Sequence, residues 1–165
     1  MLYEIKVELQ GIDPPIWRTL RVPSYTSLIR FHRILQKTMG WKNCHLHEFI
    51  TGVMPSNKLS ESSDLEKAFS KRRTLLYIYD QGDGWEHEIT LLGTTEGNEE
   101  ISCIAGARAC PPEDCGGPPG YYSLLVALSD QEHADHDEML EWVGGKFDPN
   151  AFDIEKVNKA LKRLR

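Results

Sequence analysis

The stretch YEIKVELQGIDPPIWRTLRV, residues 3–22, alternates apolar Tyr3, Ile5, Val7 and Leu9 with polar neighbours. It turns through Gly-Ile-Asp-Pro-Pro and resumes apolar residues of one parity at Ile16, Leu20 and Val22. A period of two places every second side chain on one face of a strand, so this stretch predicts an antiparallel hairpin with one face buried. Downstream, Leu28, Phe31, Ile34 and Leu35 recur at helical spacing between a Thr26 or Ser27 N-cap and a Gly40 stop, which predicts a helix over Leu28–Met39. His45–Ile50 reads as a short strand, Met54–Ser63 as loop, and Asp64–Phe69 as a helical turn. Strands over Thr74–Tyr79 and Trp85–Leu92, joined through Asp80-Gln81-Gly82-Asp83-Gly84, predict a second hairpin, because Asp and Gly suit a tight reversal.

Ile101–Ile104 extends the sheet, and helices follow over Tyr122–Leu128 and Asp135–Val143. In a last helix capped by Asp153, Ile154, Val157, Leu161 and Leu164 form an apolar stripe. Strands early and helices late predict an α+β fold: a single domain over residues 1–165, with a mixed, mainly antiparallel sheet of about five strands. One helix follows the first hairpin and the remaining helices close the chain.

The 165 residues suit one domain of ordinary size, and 40% apolar with 27% charged residues is the balance of a soluble globule. No apolar run approaches the ~20 residues of a membrane helix, and the opening MLYEIKVELQ alternates charges where a secretory leader would be basic and then apolar. The expected location is the cytoplasm, without a membrane partner. Four cysteines in such a setting read as reduced thiols, and Cys103, Cys110 and Cys115 lack the C-x-x-C knuckle of most structural zinc sites. The net charge of −6 is uneven, with +5 over residues 1–79 and −11 over residues 80–165. An acidic whole disfavours nonspecific nucleic-acid binding; the best basic stripe is Arg30, Arg33 and Lys37, three and four apart on one helical face.

Between the strands and the late helices runs CIAGARACPPEDCGGPPGY, Cys103–Tyr121. Pro111, Pro112, Pro118 and Pro119 fix their own φ and restrict the preceding residues, so the path is constrained and forms a shaped surface. Glu113 and Asp114 sit on that stiff backbone as acid, base, ligand or acceptors of amide hydrogen bonds. Cys110 and Cys115 flank them, and Cys115 would act as a nucleophile only with a base such as His87 nearby and a lowered pKa. Around the second hairpin, Asp80, Asp83, Trp85 and His87 place carboxylates and an imidazole at one end of the sheet. The same residues also suit a hydrogen-bonded turn and a core tryptophan. His45 and His47, two apart, would face the same way on a strand and offer nitrogen ligands to a divalent transition metal, with His87 as a third. Gly82-x-Gly84 joins two strands instead of opening a helix, which excludes a dinucleotide loop, and glycines at 82 and 84 exclude an EF-hand.

Four motifs carry a family resemblance: PPIWR at Pro14–Arg18, Gly40-Trp41 leading into HLHEF at His45–Phe49, YDQGDGWEH at Tyr79–His87, and ACPPEDCGGPPGY at Ala109–Tyr121. Together they resemble the plasmid-borne open-reading-frame-three-like proteins, named for an agrobacterial Ri-plasmid frame. The resemblance covers nearly the whole chain and departs at Gln81, a position commonly aromatic in the family. It implies an α+β domain, sometimes encoded on mobile elements, and carries over no catalytic residues.

Two functional classes stay open on these residues, and no established catalytic signature decides between them. The first is a noncatalytic interaction or ligand-binding module, for a protein or small ligand, using the Pro/Gly loop beside the acidic hairpin turn. Its binding residues would be Asp80, Asp83, Trp85, His87, Cys110, Glu113, Asp114, Cys115 and Tyr121, with Trp85 and Tyr121 as aromatic anchors. The second is a metal-assisted or cysteine-dependent hydrolase. A third, lesser reading is a nucleic-acid-associated accessory protein. The first two rest on the acidic turn and the Pro/Gly loop meeting in space.

Overall fold

The hairpin is the centre of the fold. In a computed structural model of the chain, which describes residues 1–52 and 57–164, β1 (Leu2–Leu9) pairs with β2 (Ile16–Pro23) in antiparallel register, Leu9 opposite Ile16 and Tyr3 opposite Val22. Tyr3, Ile5, Val7 and Leu9 are all buried, as the alternation requires. On its other side β1 pairs with β5 (Trp85–Thr95), which pairs with β4 (Thr74–Tyr79), so the two predicted hairpins lie edge to edge. β3 (His47–Ile50) adds to β4, and β6 (Ser102–Ala107) adds to β2. The result is one six-stranded sheet, order β3-β4-β5-β1-β2-β6, with every neighbouring pair antiparallel.

Helix α1 (Leu28–Met39) starts where Ser27 Oγ accepts the Arg30 N–H and ends at Gly40, whose φ of 103° only glycine adopts readily. It buries Leu28, Phe31, Ile34, Leu35 and Met39 against the sheet, with Phe31 stacked 6.0 Å from Phe49 on β3. Each such side chain is worth ~1.5–3 kcal/mol of burial. Arg30, Arg33 and Lys37 do share its exposed face. α2 (Leu65–Phe69) is capped by Asp64. Of the loop expected over Met54–Ser63, residues 54–56 lie outside the described residues.

The late helices are α3 (Gly117–Ser129), α4 (His136–Trp142) and α5 (Ile154–Leu161). α3 begins five residues earlier than the expected Tyr122, because Pro118 and Pro119 occupy its first turn. There their missing N–H groups cost nothing and their fixed φ suits the helix. α5 protects the β6 edge: Asn158 accepts the Cys103 N–H at 2.8 Å and donates to the Cys103 carbonyl at 2.9 Å. Among the described residues no helix is long and apolar enough to cross a membrane.

Arg18 joins these parts. Its parity puts it on the buried face of β2, where it is 2% exposed. The guanidinium donates to the carbonyls of Trp17 (2.7 Å), Thr38 (3.2 Å), Ala107 (2.8 Å) and Arg108 (2.7 Å) and stacks 4.4 Å from the Phe152 ring. One side chain thereby ties β2 to the end of α1, to the exit of β6 and to the C-terminal segment. Burial pulls its pKa down, yet a guanidinium remains a cation at neutral pH. Arg18→Ala would strip four carbonyls, all at least partly buried, of their donors and leave a cavity. A loss of about 3 kcal/mol or more is expected in urea unfolding, and a loss below about 1 kcal/mol would refute the clasp.

Candidate functional site

The acidic turn is built by its own first residue. Asp80 takes a left-handed backbone (φ 59°), which Asp tolerates, and its Oδ1 accepts the N–H groups of Gly82 (2.9 Å) and Asp83 (3.3 Å). The Asp80 N–H donates to the Leu46 carbonyl at 2.9 Å, tying the turn to the segment that carries His45. Asp83 then reaches outward, and its Oδ2 accepts the Gly116 N–H at 3.1 Å. The approach is closest at Gly117, where φ is +67° and a Cβ would lie 2.3 Å from the Asp83 carbonyl oxygen, so only glycine fits. The acidic turn and the Pro/Gly loop are therefore in contact.

That contact gathers a polar cluster. Glu113 accepts the Lys42 N–H at 2.6 Å and the Tyr79 hydroxyl at 3.1 Å, and the Tyr79 oxygen in turn accepts the Cys44 N–H at 3.1 Å. Burial, reinforced by Glu113, pushes the Tyr79 phenol well above its ordinary pKa, so it stays protonated and donates. His45 Nε2 faces three carboxylates: Asp114 Oδ1 at 2.8 Å, Asp80 Oδ2 at 3.5 Å and Glu113 Oε2 at 3.9 Å. The Asp80 and Glu113 side chains are each 9% exposed, whereas Asp114 is 66% exposed. The cluster thus has a buried wall and an open side.

The other residues singled out in the sequence go elsewhere. β3 begins only at His47, so His45 lies ahead of the strand and the two imidazoles part company. His47 stacks on His32, ring centroids 3.4 Å apart and nearly parallel, with Nε2 3.3 Å from Glu61. His87 is fully buried on the core face of β5, 5.2 Å from the Tyr77 ring, with Nδ1 3.0 Å from the Trp85 carbonyl. The expected trio of His45, His47 and His87 is not brought together. Among the described residues the ligand groups lying within 4.8 Å of one another are Cys44, His45 and Glu113, and His45, Asp80 and Asp114.

Trp85 and Tyr121, expected as anchors, are fully buried, Trp85 against Trp41 (5.4 Å) and Tyr121 edge-on to Phe147 (6.2 Å). Strand parity and helix position decide this: both sit on core-facing faces. All four cysteines are free thiols. Burial pushes Cys110 well above its ordinary pKa and, with Asp83, pushes Cys115 up to about 12, the reverse of an activated nucleophile.

Sequence reasoning missed a groove of about 780 Å³ between α3 and α4 that opens beside Asp114 and Cys115. Leu124 and Ala127 contribute apolar surface, Tyr122, Met139 and Trp142 line it further, and His133, Asp135 and Glu138 add charge and polarity. α4 buries none of its residues, and Trp142 is 47% exposed. His133 and Asp135 lie just ahead of α4, and His136 Nδ1, 2.8 Å from the Ala127 carbonyl, pins α4 to α3.

Comparison with known proteins places this arrangement among relatives. The family described as plasmid pRiA4b ORF-3-like protein matches residues 1–156. The uncharacterised protein y4hQ of Sinorhizobium fredii is 36% identical, with 97% of this chain and 90% of that protein covered. A crystal structure of a protein of unknown function from Methanosarcina mazei Go1 superposes with a TM-score of 0.85 at 35% identity, covering 93% of this chain and 96% of the other.

Two outcomes follow from the geometry. Gly117→Ala forces a Cβ into the Asp83 carbonyl, and a loss of about 2 kcal/mol or more is expected in urea unfolding. A change under ~0.5 kcal/mol would mean that the contact is not close. Burial lowers both His87 and His32 to about 4, below the ~6.5 of an unfolded chain. The folded state therefore binds fewer protons, and stability is complete above pH ~6.5 and falls as pH drops toward 4, by about 3 kcal/mol for His87 alone. His87→Leu is expected to show a shallower decline than the wild type in denaturation series from pH 4.5 to 7.5; parallel profiles would contradict the assignment.

Proposed function

The chain belongs to the plasmid pRiA4b ORF-3-like family, and we propose that it is a noncatalytic binding module whose seat is the groove between α3 and α4, beside the junction of acidic turn and Pro/Gly loop. Its partner is a basic protein segment carrying large apolar side chains. The observation that carries this reading is the groove itself: exposed apolar Tyr122, Val126 and Trp142 stand beside the carboxylates of Asp114, Asp135 and Glu138. Aromatic surface contributes binding area at low entropy cost, and carboxylates at the rim select a cationic partner and speed its approach. The charge of −11 over residues 80–165 supports the same polarity of partner. The anchors on this reading are Tyr122 and Trp142 in place of Trp85 and Tyr121. Rigidity supports it as well, since the loop is held by Arg18 at its entry and by Asp83 at its exit, so little ordering entropy is lost on binding.

Cysteine-dependent hydrolysis finds no support in the loop thiols of Cys110 and Cys115, which burial raises, or in His87, which lies in the core. The test is titration of the intact protein with Lys/Arg-rich peptides bearing interspersed Leu or Trp, and with their Asp/Glu counterparts, followed by tryptophan fluorescence and calorimetry. Binding of the basic series only is expected, weakened ~10-fold or more by Trp142→Ala and several-fold by Glu138→Gln. Equal binding of both series, no binding, or no effect of Trp142→Ala would refute the reading.

A further inference from the structure

We infer that His45, Asp80 and Asp114 form a binding centre for a divalent first-row transition ion of the zinc type, with Glu113 behind them. This centre is separate from the groove except for Asp114, which borders both. Ligand bonds of roughly 2.0–2.2 Å place neighbouring donor atoms about 3.0–3.5 Å apart in a tetrahedral or octahedral shell. Asp114 Oδ1 and Asp80 Oδ2 lie 2.8 and 3.5 Å from His45 Nε2, and the three donor atoms are mutually within 4.8 Å.

An imidazolium in a salt-bridge network would satisfy the same charges, but its N–H would aim at an acceptor. Here Nε2 is a buried atom, and none of its carboxylate contacts has hydrogen-bond direction. The ring nitrogen is instead presented to a point that the carboxylates share. The buried wall adds an independent reason. Asp80 and Glu113 are nine-tenths buried and turned toward that nitrogen, and among the described residues Asp80 Oδ2 accepts no hydrogen bond from an amide. Three carboxylates converging in a half-buried cleft repel one another, and a dication offsets this more fully than one imidazolium.

The donor set selects the ion. One imidazole with carboxylates suits zinc, manganese or iron better than calcium or magnesium, and the free Cys44 thiol, grouped with His45 and Glu113, favours the thiophilic end of that series. Three protein ligands leave a coordination position open on the exposed Asp114 side. They also come from three separate segments: the stretch before β3, the turn after β4 and the Pro/Gly loop. A bound ion would therefore cross-link those segments and raise the melting temperature.

The experiment is calorimetric titration of metal-stripped, tag-free protein with Zn²⁺, alongside Co²⁺ absorption spectra and thermal melts. One ion per chain at micromolar affinity or tighter is expected, with a higher melting temperature in Zn²⁺. Affinity should fall ~10-fold or more in Asp80→Asn and in His45→Ala. Asp114→Asn, at an exposed position where folding is not at stake, should show the same loss and an altered Co²⁺ spectrum. Glu138→Gln, which touches only the groove, should bind Zn²⁺ as the wild type does, so failure of the groove and failure of the centre are distinguishable. Less than stoichiometric Zn²⁺, or affinity unchanged by Asp114→Asn, would overturn the inference. So would a His45 imidazole resonance that does not respond to Zn²⁺.

Discussion

The contact between Asp83 and the Gly116-Gly117 pair is the constraint on which the candidate site depends. It brings together two segments some thirty residues apart and requires a residue without a Cβ at the closest point. Once Asp83 is engaged, Glu113 and Asp114 are delivered to His45 and Asp80, and α3 starts in a direction that leaves a groove against α4. Polar convergence and groove are thus two consequences of one backbone approach. The Gly116-Gly117 pair matters because a residue without a Cβ lets the loop lie against the turn.

Holding that approach in place falls to two buried side chains, one of them far from it in sequence. Arg18, on the second strand of the opening hairpin, spends its guanidinium on carbonyls at the end of α1 and at the exit of β6, which sets where the Pro/Gly loop departs. Tyr79 ends β4 with its hydroxyl between Glu113 and the Cys44 amide, which sets where the loop passes over the sheet. Both side chains are buried and hydrogen-bonded, so a shift in either would leave unsatisfied polar atoms inside the protein. The network resists loosening for that reason.

Much of the fold was legible because it follows from short-range patterns. The alternation of Tyr3, Ile5, Val7 and Leu9, the caps at Ser27, Asp64 and Asp153 and the stop at Gly40 all act within a few residues, and the elements they predict are present. The same logic misled where an element begins two residues later than its pattern suggests. His45 and His47 share parity, but β3 starts at His47, so one imidazole joins the carboxylates and the other stacks on His32. Trp85 and His87, two apart on β5, share one strand face, and that face is the core side of the sheet. Pro118 and Pro119 stiffen the path and also form the first turn of a helix, since fixed φ suits either role.

The residue order by itself determined the α+β class, the two hairpins, the amphipathic helix after the first, and the presence of a stiff acidic loop, because each rests on periodicity, capping or a fixed torsion. Which carboxylates meet which imidazole, which aromatics stay exposed, and that α4 stands off α3 to leave a groove were decided only by the tertiary structure. Those outcomes depend on the order in which strands assemble and on distances between segments far apart along the chain, and no local pattern of residues encodes them.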